Sequence, residues 1–112
     1  MRAPATITAG WADAIARFGA APCPQPVLDK AALCLADFLS GAFEAAPLEW
    51  SRQAGALAHP LENGAAVICE RMKGVPADAA FANAVAAHGL VREDMHTRSV
   101  SHLGVVVWPA LL

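Results

Sequence analysis

Proline decides where the regular elements of this chain can begin and end. Its ring fixes φ, removes an N–H and clashes with the turn before it, so a proline is accepted in the first turn of a helix and breaks an interior. Of the eight prolines in the 112 residues, Pro22, Pro24 and Pro26 stand together, and Pro47, Pro60, Pro76 and Pro109 follow at intervals. The stretches between them suit helices of a few turns.

Thr6 or Thr8 can cap a first helix, in which Ile7, Trp11, Ile15 and Phe18 make one apolar stripe. Gly19 and AAPCPQP end it. Pro26 then suits the first turn of a second helix with residues 27–43 as its body. Val27, Leu28, Ala31, Leu35, Phe38 and Leu39 occupy one side of that helix, with Leu33, Ala36 and Phe43 around the rest. So apolar a circumference predicts a position in the middle of a larger helical body. Residues 47–59 predict a third, shorter helix through Leu48, Trp50, Ala54 and Leu57, broken by Pro60, Asn63 and Gly64.

AAVIC, residues 65–69, is a strand or a buried extended segment, and periodicity does not choose between them. Lys73 and Gly74 turn the chain into a helix over residues 76–90, with Pro76 at its first position, Asp78 in its first turn and an end near Gly89. Phe81, Ala84, Val85 and His88 share a stripe of it, which places His88 near the end of a buried face, either pointing into a site or serving as a cap or core residue. VVVWPALL closes the sequence, with Pro109 starting or kinking a helix. The reading is an all-α fragment with one short extended segment near 65–69. Residues 1–112 are expected to be a partial helical domain, truncated at the C-terminus.

Hydrophobic residues make up 56% of the chain and charged ones 16%, which predicts surplus apolar surface meant for a partner. A net charge of −2, with Lys and Arg scattered singly, gives no basic stripe for nucleic acid and no polybasic patch for a membrane. Charges interrupt every apolar run short of the ~20 residues that cross a bilayer. The N-terminus lacks the apolar core of a signal peptide. Cys23, Cys34 and Cys69 have no CxxC pairing, so reduced, buried thiols in the cytoplasm are expected. Trp11, Trp50 and Trp108 read as core or interface anchors.

Chemistry concentrates in residues 88–102. His88, Arg92, Glu93, Asp94, His96, Thr97, Arg98 and His102 gather there, including three of the four histidines. A histidine oriented by a carboxylate is the commonest apparatus for moving a proton at neutral pH. Glu93, Asp94, His96 and His102 are therefore candidate acids, bases or metal ligands. Arg92 and Arg98 offer planar forks that can hold a substrate carboxylate. The plain alternative is a solvated loop of mixed charge. A zinc site of His96, His102 and Asp94 lacks HExxH spacing and a cysteine partner, and no metal is assigned. His59, beside Pro60, reads as a surface residue.

The strings AAFANAVAAHGLVREDMH and SHLGVVVWPALL resemble the MmgE/PrpD family. Its members carry an alanine-rich "AAFANG..AH" helix, an acidic "D-x-D-D-T-H" loop and an "HPG/HPS" turn opening an apolar helix with an early proline. LADFLSGAF and GAAVI extend the resemblance more loosely toward the N-terminus. Members include 2-methylcitrate dehydratases, cis-aconitate decarboxylases and an iminodisuccinate epimerase, which work without a cofactor at a carbon beside a carboxylate. The resemblance implies a dimer with a large helical domain and a smaller α+β lid.

Residue by residue, the resemblance implies that Asp94 is the loop's last acidic residue, His96 the histidine after it, His102 the active-site histidine of the turn and His88 the histidine ending the helix. Four positions depart from the pattern: Val91 stands at the first acidic position, Arg92 at an aromatic one, Met95 in the acidic-loop segment and Leu103 after the active-site histidine. The loop aspartate is then absent, or its role passes to Glu93 or Asp94. The implied catalytic set is His102, Asp94, Glu93 and His96, with Arg92, Arg98, His88 and Thr97 binding a small di- or tricarboxylate. No cofactor is implied. The partner is a second copy or a complementing C-terminal polypeptide, the fragment alone is inactive, and the rival reading is a non-catalytic remnant or docking subunit.

Overall fold

In the computed structural model the described residues are 6–112. They form two compact units, one ending at Ala31 and one spanning Ala32–Leu112.

The first unit holds α1 (Ile7–Ala20) and the start of α2 (Gln25–Ala45). Thr6 is the α1 cap, its Oγ1 accepting from Ala9 N at 3.1 Å, which settles the choice between the two threonines. None of the α1 residues is buried, and Ile7, Trp11, Ile15 and Phe18 all lie open. The predicted stripe is there, without a covering surface.

The second unit is built around α4 (Pro76–His88). Pro76 opens it and Asp78 lies in its first turn. Ala79, Ala82, Asn83, Ala86 and Ala87 are its buried residues. They face two apolar clusters: Phe38, Ala42 and Val105 on one, and Ala54, Ala58 and Val67 on the other. Alanine suits this place because a methyl side chain lets neighbouring backbones come close. Gly41 of α2 shows how close: a Cβ there would lie 3.1 Å from the Ala87 carbonyl oxygen.

Two expectations are corrected by this arrangement. The central helix is α4, not α2, in which Phe38, Ala42 and Ala45 are buried while Val27, Leu28, Leu33 and Phe43 are exposed. The buried stripe of α4 follows smallness rather than bulk, so Phe81 is 55% exposed and the His88 side chain half exposed. α3 (Glu49–Ala56) is shorter than predicted, and its Trp50 and the following Leu57 are exposed.

The fold is mostly helical, but all-α is only approximate. β1 (Pro60–Val67) and β2 (Met72–Gly74) pair antiparallel, with Ala65 opposite Gly74, Ala66 opposite Lys73 and Val67 opposite Met72. An irregularity between Pro60 and Ala65 precedes the regular ladder, and a side chain on Gly64 would run into the Gly74 carbonyl. The strand begins earlier than the 65–69 segment expected, and Lys73 and Gly74 pair rather than turn. Arg71, at φ 52°, makes the turn.

Asn83 then ties sheet to helix. Its Oδ1 accepts from Ile68 N at 2.9 Å and its Nδ2 donates to Ala66 O at 2.8 Å. The amide thus continues the ladder where β1 leaves its partner, satisfying both backbone groups from inside the core. Cys23, Cys34 and Cys69 are free thiols and half-buried, not buried as expected. α5 (Gly104–Leu111) carries Pro109 in its interior and buries Gly104, Val105 and Pro109, while Val106, Val107 and Leu111 are exposed. No single helix among the described residues is long and apolar enough to cross a membrane.

Candidate active site

The candidate site forms where α4 ends. Gly89 follows His88 closely packed, since a side chain there would strike the Trp50 indole nitrogen. The chain then runs through residues 89–103, whose turns hold two valines in the left-handed region, Val91 and Val100, each at φ 51°. A β-branched residue is sterically strained there, so surrounding contacts must hold the loop.

Those contacts come from one stripe of α2. Asp37, Gly41 and Glu44 lie at spacings of four and three, on one face. Asp37 Oδ2 accepts from Asp94 N at 2.8 Å, and Glu44 Oε1 accepts from Arg92 Nη1 at 2.8 Å. Asp94 in turn accepts from Gly104 N at 2.9 Å through Oδ1, satisfying the first N–H of α5 with a carboxylate placed at the positive helix end. Leu103, the residue in the capping position, offers no side-chain bond of its own. A side chain at position 104 would collide with that Asp94 oxygen and push the carboxylate from its place on the helix end.

Glu93 is the centre of the arrangement. Its side chain is wholly buried. Oε1 makes a hydrogen bond to His88 Nδ1 and lies 3.0 Å from His102 Nδ1, the second contact being an ion-pair approach out of line for a hydrogen bond. Glu93 Oε2 and His102 Nδ1 are therefore buried with no hydrogen-bond partner. The two imidazole rings meet edge to face, with centroids 5.0 Å apart. Burial pushes the Glu93 carboxyl pKa up, but its own backbone N–H, the His88 hydrogen bond and the charges of His88 and His102 outweigh it, so the net shift is downward. An ionised carboxylate only accepts, so His88 donates in this pair from its Nδ1–H.

The sequence candidates divide here into two groups. His88, Glu93 and His102 are brought together, with ligand atoms all within 4.8 Å of one another. Asp94 and Arg92 are engaged in holding the loop. His96, Thr97 and Arg98 sit exposed in the turn beyond, where His96 pairs with Ser101 through the backbone and its Nδ1 contacts Ser99 Oγ at 2.7 Å. Arg98 makes no ion pair among the described residues. His96, His102 and Asp94, the trio weighed for zinc, are not the set that converges.

His59, expected at the surface, is exposed, and Asp78 Oδ2 accepts from its backbone N at 3.0 Å and contacts its Nδ1 at 2.8 Å. A cleft of about 530 Å³ between β1, α4 and the end of α5 is lined by Asn63 and otherwise small or apolar residues. None of the loop residues lines it.

A family model described as the MmgE/PrpD N-terminal domain matches residues 10–112. The chain belongs to the MmgE/PrpD family. The matched span takes in residues 10–31 of the first unit and the whole of the second, including α4, the loop and α5. No curated protein matches the chain, and no solved structure does. Asp37 and Glu44 are the partners of the candidate loop that sequence reading missed in this MmgE/PrpD domain. The signal was present in the two acids seven apart on one face of a mostly apolar helix.

Proposed function

We propose that this MmgE/PrpD domain supplies one wall of the active site of a lyase or isomerase, a dehydratase, decarboxylase or epimerase acting on a small di- or tricarboxylate. The observation that carries the reading is the buried, ionised Glu93 carboxylate between His88 and His102. His102 moves the proton beside the substrate carboxylate as acid or base, and Glu93 fixes its ring and offsets the charge it gains. His88 shares the same oxygen and relays or orients. Negative charge gathers on the substrate as the proton leaves, so a fixed cation near the loop lowers the barrier. Arg98 is the free guanidinium for that purpose, and Arg92 serves if a substrate carboxylate displaces Glu44.

The chain acts in this reading as the N-terminal part of a larger helical domain. Its partner is a complementing C-terminal polypeptide or a second copy, and alone it turns over little or nothing. The test follows deuterium uptake from heavy water into a panel that includes 2-methylcitrate and cis-aconitate. It compares the chain alone with the chain co-expressed with whatever the reading frames downstream of codon 112 encode. Exchange only in the completed protein, falling about 100-fold in His102→Ala, is the expected result. Exchange that survives His102→Ala sinks the proton-transfer assignment.

A second reading, a non-catalytic subunit that docks on another polypeptide, is favoured by the exposed Val106, Val107 and Leu111 of α5. Sedimentation separates the two. A docking subunit is monodisperse only with its partner and shows no exchange with it.

A further inference from the structure

We propose that Asp37 of α2 is a positioning residue for the proton transfer assigned above, an assignment that rests on that reading, and that it keeps Glu93 against His102 by way of Asp94. Residues 93–104 form a loop closed at its neck by two ties. His96 and Ser101 exchange backbone hydrogen bonds at 2.9 and 3.4 Å, and nearer the base Asp94 Oδ1 accepts from Gly104 N at 2.9 Å. Glu93 stands just before the lower tie on one arm, and His102 lies between the two ties on the other. A closed neck therefore brings both side chains to one place, where Glu93 Oε1 lies 3.0 Å from His102 Nδ1.

The neck also needs a fixed place on the helices, and its tip supplies none, since residues 95–100 are exposed. Asp37 Oδ2 accepts from Asp94 N at 2.8 Å, so the residue whose side chain closes the neck is tied through its backbone to α2. One turn further along α2, Gly41 packs so closely on the Ala87 carbonyl that a Cβ would lie 3.1 Å from its oxygen, and Ala87 is the residue before His88. Phe38 and Ala42, wholly buried, seat that stretch of α2 in the core. One short length of α2 thus registers His88 from the end of α4 and Glu93 with His102 from the neck. The Arg92–Glu44 pair is the weaker tie, because both side chains are exposed and an ion pair in water contributes little.

Placement from outside matters here because nothing inside the pair enforces it. Glu93 Oε1 is bonded to His88, while Glu93 Oε2 and His102 Nδ1 are buried without hydrogen-bond partners. No hydrogen bond joins Glu93 to His102, so the backbone alone keeps carboxylate and ring in register. Proton transfer tolerates little slack, and a misplacement of about 1 Å costs on the order of 100-fold in rate. Asp37 acts on the mutual placement of the two groups, so its loss lowers the rate of the chemical step and leaves substrate affinity nearly as it was.

The experiment compares Asp37→Ala, Asp37→Ser and Asp37→Asn, in the full chain and in the completed protein. Asparagine keeps an oxygen that can accept from Asp94 N, alanine has none, and the serine hydroxyl is too short to reach. In the full chain, nuclear Overhauser contacts between the His88 and His102 rings, whose centroids lie 5.0 Å apart, should appear in the parent and Asp37→Asn and vanish in the other two. Circular dichroism should not change, because position 37 is exposed, and a loss of stability alone would leave the ring contacts of the folded molecules in place. In the completed protein, kcat for deuterium uptake should fall about 10–100-fold in Asp37→Ala with KM held within about twofold, and recover in Asp37→Asn. Asp29→Ala, which removes a carboxylate bonded to Gln25 within the same helix, should match the parent. Ring contacts that persist in the alanine and serine variants, or an asparagine variant as impaired as alanine, overturn the assignment, and serine alone decides if alanine does not fold. Absence of uptake in the completed parent sinks the proton-transfer reading instead, and the ring contacts, read without substrate, tell the two failures apart.

Discussion

The body of α4 and its C-terminal end are held by different physics. Along the body, Ala79, Ala82 and Ala86 pack without exposure, and the one buried polar group, Asn83, is fully matched by the backbone of β1 and its exit. At the end, a buried carboxylate faces two histidines with two polar atoms unmatched, and strained valines bracket the loop that carries it. The first region is satisfied, and no group buried in it ionises. The second is under-satisfied and charged, which is the condition of a place that binds or reacts.

Substituting Asn83 with Ala tests the satisfied half. It strands the Ile68 N–H and the Ala66 carbonyl in the core and should cost roughly 3 kcal/mol, with no change in slope between pH 5 and 8, measured by urea unfolding. A loss below ~1 kcal/mol would mean the helix-to-strand tie is decorative. Gly104→Ala comes next. The added methyl collides with Asp94, so a loss of about 2 kcal/mol is expected, seen as faster amide exchange in α5 and the loop with the α4 body unchanged.

Glu93→Gln separates the halves by pH. The folded-state pKa of Glu93 lies below its ordinary value of 4.5, so between those two values the unfolded chain binds the proton and the folded one does not. Stability from this group is complete above the ordinary value and drains away as pH falls through it toward the depressed one. The variant should lose about 1–2 kcal/mol at pH 7 and show a shallower acid limb. Asp78, held low by the backbone N–H and ring of His59, has the same sign and stays in both proteins as an internal reference. An acid limb identical to the parent's would remove Glu93 from the account.

The smallest effects test the strain and the tip. Val91→Gly relieves a left-handed β-branched residue and should gain up to about 1 kcal/mol, after the flexibility that glycine adds to the unfolded chain. His96→Ala, in the exposed turn, should stay within ~0.5 kcal/mol.

Much of the helical frame was legible, because the signals are local. Thr6 caps α1, Pro76 opens α4, and Gly89 stands just after it. The sheet was half legible. Three residues, Met72–Gly74, carry too little pattern to read as a strand, and their pairing depends on Arg71 taking a conformation its side chain does not favour. The identity of the central helix was hidden because bulk was read as the sign of burial, whereas Phe81 faces out and alanines face in. Within the loop, closeness in sequence gave eight candidates, but only long-range contacts from α2 separate the three that converge from those that hold the loop or sit at its tip.

The bond from Asp94 to the first amide of α5 has a consequence for how the molecule assembles. An eight-residue helix with proline inside has little tendency to form alone, and its start is stabilised by a residue ten positions earlier that must first be placed by Asp37. Loop and helix are thus one cooperative unit, which opens and closes together in native-state exchange. Each opening frees Val105 and Pro109 along with the already exposed valines. Damage to the loop would show itself first as a sticky protein, and only afterwards as a chemically silent one.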